Sequence, residues 1–166
     1  MGTRISKALA LGAALVLLVA MLSGTALAHH SFAMYDQTKV VTVTGVVKTF
    51  VPQANHAEIH FIQLSEDHKS LKKGADGKYV EWGVEMAGTA QLVPQGITAQ
   101  TYGPGTVFSV HLHPLREGGS NFGARVPNSA IVKCPVDAAT NKPKLPEAGK
   151  HCDSVAGSTF SGGKTF

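Results

Sequence analysis

The chain has 166 residues, with 15 Lys and Arg against 11 Asp and Glu. Its formal charge of +4 is spread without any basic cluster interleaved with aromatic residues, so nucleic-acid binding has no footing. The length suits one domain of ordinary size behind a short leader.

Taken from the start, Arg4 and Lys7 precede a 15-residue run, 8–22, that is apolar apart from Gly12. Small residues and the pattern Ala26-Leu27-Ala28 follow. A basic start, an apolar stretch and an A-x-A site describe a cleavable secretory signal. The run falls short of the roughly 20 residues needed to span a bilayer, so no stable membrane anchor is expected after cleavage. Residues 1–28 are therefore read as signal peptide. The mature chain would begin at His29, with 13 basic and 11 acidic residues, in a periplasmic or secreted location.

Residues 40–50, VVTVTGVVKTF, are rich in β-branched residues and predict a first strand, with Gly45 marking a bulge or sharp bend. Residues 57–64 alternate, with Ile59 and Phe61 on one face and Glu58 and His60 on the other. Asp76-Gly77 is a turn signal at the end of a polar hairpin loop. Residues 79–86 form a third strand, with Glu81 and Glu85 opposite Val80, Trp82 and Val84. Thr89 can cap a short helical turn that Pro94 and Gly96 end. Residues 106–113 give a fourth strand, with Phe108, Val110 and Leu112 on one face and His111 and His113 on the other. Residues 124–134 supply a fifth, interrupted at Pro127, and the Gly/Ser/Thr-rich end from Gly157 is expected to be loose.

This order predicts a mostly β fold: a small five-stranded OB-like Greek-key barrel with one short helix between strands 3 and 4. An open β-sandwich is the alternative, since both bury one face of each strand. The barrel domain is placed at 29–134 and a Pro/Gly-rich extension at 135–166. Two cysteines in an exported chain favour a Cys134–Cys152 disulfide tying that extension back. A thiolate metal site or redox pair lacks the C-x-x-C spacing.

Eight histidines, all beyond residue 28, are the sharpest chemical signal. Cleavage after Ala28 would give His29 a free amine beside its own imidazole. With His30, His56 and His113 it can offer the nitrogen set that suits Cu(II). Two histidines spaced two apart on a strand are equally the mark of an ordinary solvent face. Glu81 and Glu85 are about 13 Å apart along a strand, too far for paired acid–base work. No nucleophile motif, H-E-x-x-H or phosphate loop is present, so no enzyme is expected.

The segments Ala28-His29-His30-Ser31-Phe32-Ala33-Met34-Tyr35-Asp36, Asn55-His56, Glu81-Trp82 through Glu85, and His113-Pro114-Leu115-Arg116-Glu117-Gly118 resemble a family of small exported bacterial proteins of uncharacterised function. The resemblance spans about residues 28–134. It implies an exported β-barrel domain without an established activity. It also singles out His29, His30, His56, Glu85, His113 and Arg116 as the polar signature. This sequence departs from the family's W-x-NPH pattern, reading Phe50-Val51-Pro52-Gln53-Ala54-Asn55-His56. The expectation is a periplasmic binding protein whose metal ligands are drawn from His29, His30, His56 and His113, with Glu85, His111 and Arg116 as further binding residues. The alternative is an envelope module that binds a protein partner or small ligand without metal.

Overall fold

The computed structural model describes residues 32–163; the expected signal segment, His29 and His30 lie outside them. Residues 32–34 form a single turn of 3-10 helix. The remaining chain from Tyr35 is a separate compact unit.

Among the described residues seven strands build that unit: β1 Val41–Val51, β2 Glu58–Gln63, β3 Glu81–Glu85, β4 Val107–Pro114, β5 Phe122–Arg125, β6 Ile131–Lys133 and β7 Thr159–Ser161. Antiparallel β1–β2, β2–β3, β5–β4 and β4–β1 pairings and a parallel β3–β5 pairing close the first five into a barrel. Closure through β1–β4 decides for the OB-like barrel over the open sandwich. One short helix, α1 Thr89–Leu92, lies between β3 and β4.

Gly45 makes the closure possible. The N-terminal half of β1 pairs with β4 from Val41 to Val46, and the C-terminal half pairs with β2 from Gly45 to Val51. A Cβ at Gly45 would lie 2.5 Å from Phe61 Cδ2 and 2.6 Å from the Ile62 carbonyl oxygen. Only a bare backbone lets β1 turn so tightly onto β2. A register shift between Val47 and Thr49 adds the bulge, three residues beyond the glycine rather than at it.

The core follows the alternation. Ile59, Phe61, Val84, Phe108, Val110 and Leu112 are fully buried. The Phe61 and Phe108 rings meet edge-to-face at 4.9 Å. Leu92, Ile97 and Tyr102, from α1 and the segment after it, join the same core. Thr89 does not cap the helix. Gly88 holds the N-cap position without a side-chain bond, and the Thr89 hydroxyl donates to the Gln53 carbonyl, pinning α1 to the β1–β2 loop.

Two expectations are corrected beyond β4. The expected interruption at Pro127 is present, but it separates two strands rather than breaking one, because Pro127 has no N–H to donate and Asn128 sits in the left-handed region at φ 60°. β5 pairs with β4 at Leu112–Pro114, whereas β6 pairs with it at Phe108–Val110. Residues 157–163 are not loose: β7 pairs with β6, and the Arg125 guanidinium donates to the carbonyls of Ser129 and Gly162. Cys134 and Cys152 form the disulfide and are buried in a second apolar cluster with Leu64, Val107, Ala130 and Val132.

Candidate functional site

The pairing of β2 with β3 sets Glu58 directly across from Glu85. Like charges facing each other across a sheet are unfavourable, and each of these carboxylates has a histidine beside it. His60 Nε2 lies 2.8 Å from Glu58 Oε2, and His56 Nδ1 lies 3.0 Å from Glu85 Oε1. Tyr35 donates its hydroxyl to Glu85 Oε2 at 2.7 Å. The Tyr35 ring is fully buried and its hydroxyl titrates above the ordinary tyrosine range, chiefly through burial and then through the Glu85 hydrogen bond and charge.

Local structure holds each group. The loop carrying His56 is fixed by Ala57 and Met86, whose amides bond across to Ala87 and Ala57 carbonyls. Gly88 lets this loop close, because a Cβ there would collide with the Ala54 carbonyl. The Phe122 ring lies over Gly83, in the space a side chain there would fill, and packs against both Tyr35 and His60.

Residues 35–39 cross the ends of β4 and β5 as a strap. Tyr35 bridges to Leu115, the Asp36 amide donates to the Pro114 carbonyl, and Arg116 Nε donates to the Tyr35 carbonyl at 3.0 Å. Arg116 thus secures the strap that carries Tyr35 to Glu85. Asp36 accepts from the Thr38 hydroxyl and faces Lys39, which lowers its carboxyl to about 2. At the strap's end His113 Nδ1 lies 2.8 Å from the Lys39 carbonyl oxygen. A carbonyl only accepts, so this nitrogen carries the proton. His113 and Glu85 both pair with Ala124, which sets them two strands apart, about 10 Å, on one row of the sheet.

His56, His60 and His113 share one arrangement: a single ring nitrogen is held by an acceptor, a carboxylate for the first two and a carbonyl for the third. The other nitrogen has no hydrogen-bond partner among the described residues. An imidazole fixed in this way is oriented to offer a lone pair to an ion. His56 and Glu85 are brought together as a pair, whereas His111 belongs elsewhere, with its Nδ1 2.6 Å from the Thr42 hydroxyl. Among the described residues no three His, Cys, Asp or Glu side chains converge tightly enough to hold a metal by themselves.

Sequence reasoning did not assign Tyr35, Glu58, His60 and Phe122 to a site. The alternation of 58–63 gave the faces of Glu58 and His60, but the Glu58–Glu85 apposition depends on strand register. Tyr35 and Phe122 lie outside the expected strands.

A family profile described as a family of unknown function (DUF6152) matches residues 16–124. No curated protein and no solved structure matches the chain.

Proposed function

The chain belongs to the DUF6152 family, a family of unknown function, and from that premise we propose that it is an exported binding protein that captures a transition-metal ion, Cu(II) first, on the outer face of β2 and β3. The observation that carries this reading is the pair of anchored imidazoles, His56 and His60, on the facing carboxylates Glu85 and Glu58, with a third, His113, two strands away on the same row. Small OB barrels bind their ligands on the β2–β3 face and its adjoining loops. Here that face presents carboxylates and imidazoles, which suit a cation and repel phosphate-bearing ligands. The disulfide is compatible with an oxidising compartment.

His29 stands six positions ahead of Tyr35 in the chain. Cleavage after Ala28 would give the chain an amine and two imidazoles, from His29 and His30, as further nitrogen donors. Nitrogen-rich sets place Cu(II) at the top of the divalent affinity order.

Calorimetric titration of the chain beginning at His29 with Cu(II) tests the proposal. One ion per chain is expected, with affinity lowered at least about tenfold by one added residue before His29 and by His56→Ala. No stoichiometric binding would leave the metal-free interaction module as the reading. Equal affinity with and without the added residue would remove the N-terminal amine from the site.

A further inference from the structure

A second cluster of imidazoles lies on the outer face of β1 and β4, beneath the segment that follows Cys134. Ser109 on β4 is fully buried, and Thr44 on β1 nearly so. The Thr44 and Ser109 hydroxyl oxygens are 2.7 Å apart. The Cys152 amide donates to Ser109 Oγ at 2.9 Å, and His151 Nδ1 lies 2.8 Å from Thr44 Oγ1.

Proton accounting fixes the direction of this relay. Each hydroxyl has one proton to give. Ser109 receives the Cys152 N–H, and its only other side-chain partner among the described residues is Thr44. The Ser109 proton therefore goes to Thr44, the Thr44 proton goes to His151, and Nδ1 of His151 accepts with a lone pair. A proton placed on that nitrogen would turn the Thr44 hydroxyl around, leaving the buried Ser109 proton without an acceptor. An unmade hydrogen bond of this kind carries a full desolvation penalty.

We propose that His151 is an acid-operated latch: its neutral ring ends a hydroxyl relay that clasps the C-terminal segment to β1 and β4, and protonation opens the clasp. The ionisable groups facing it are His111 from β4, His68 from the β2–β3 loop and Asp153 from the segment itself. β1 presents the hydroxyls of Thr42 and Thr44 there. His68 is buried and bonds the Pro146 carbonyl at 3.2 Å, a further tie to the same segment. His151 is held below the ordinary imidazole value, mainly by burial; Asp153 opposes that shift and His68 adds to it. His111 is lowered as well, by burial first and then by His151. The Cys134–Cys152 bond stays intact, so the opening is local and reversible, and it uncovers the hydroxyl row of Thr42, Thr44 and Ser109.

Hydrogen exchange at the Cys152 amide reads the clasp directly, with β1 and β4 strand amides of the same sample as the internal reference. Between about pH 7.5 and about pH 5, relative protection at Cys152 should fall at least about fivefold in the native chain. In His151→Asn, whose side-chain oxygen accepts from Thr44 but does not titrate, it should stay within about twofold. Constant relative protection in the native chain, or an equal fall in the variant, overturns the latch. If the variant does not fold, an NMR titration of the native chain decides. The Cys152 amide shift should follow the His151 ring with the same midpoint, and an amide that follows His68 or His111, or does not titrate, overturns it.

Discussion

Glu85 takes two hydrogen-bonding partners, the Tyr35 hydroxyl and His56 Nδ1, one on each carboxylate oxygen. Each bond has a separable consequence. Tyr35→Phe removes a buried donor to a charged acceptor and should cost roughly 1.5–3 kcal/mol in urea unfolding. It leaves His56 paired, so its effect falls on stability before it falls on binding. Glu85→Gln keeps the shape but weakens the acceptor that orients His56. On the metal-binding reading, it should lower Cu(II) affinity by about 10–100-fold while the fold persists, as titration of the folded variant would show. Gly45→Ala belongs to a different class. Its new methyl meets a buried ring and a strand carbonyl, so a loss of about 1–3 kcal/mol is expected from the denaturation midpoint.

The C-terminal segment is the element whose stability is most separable from the barrel's. The disulfide closes a loop across 18 positions, which by loop-closure entropy is worth about 3 kcal/mol. Replacing both cysteines by Ala should lower global stability by about that amount in chemical denaturation. Alternation made β1 to β4 legible because each of them buries one face. Gly45 was legible as a bend because a glycine inside a Val/Thr run has few other uses. The β5–β6 division was only half legible: Pro127 announced a break, but not that the chain would move along β4 to a new register. β7 was hidden because Gly, Ser and Thr carry no periodic signal. Its order comes from pairing with β6 and from the Arg125 clamp, both distant in sequence. The candidate site was legible in its individual residues, His56, Glu85 and His113. Their arrangement was not, since it depends on the Glu58–Glu85 register and on a strap with no regular structure.

For the whole molecule, the titrating groups predict a stepped dependence of stability on pH. His111 and His151 have folded values below the ordinary one, so the unfolded chain binds protons first as pH falls. Stability should be flat above about pH 7 and decline as pH drops below about 6.5. Asp36, Asp67 and Asp137 are also held below the ordinary carboxylate value, by hydrogen bonds from neighbouring hydroxyls and amides. Their contribution is present above about pH 4 and is lost below it, giving a second decline. Denaturant midpoints across this range would show both steps, and His151→Asn should shrink only the first.

The two histidine clusters also give the metal-binding account its most direct test. Among the described residues, one ring nitrogen of each of His56, His60 and His113 is held at the strap or the facing carboxylates, whereas His151 and His68 are tied to the C-terminal segment and the strand beneath it. The measurement is paramagnetic broadening of the histidine ring signals by substoichiometric Cu(II) in the chain that begins at His29. The signals of His56, His60 and His113 should vanish first, while those of His68, His111 and His151 persist. Prior loss of the second group, or uniform broadening of all six, would contradict a metal site on the β2–β3 face.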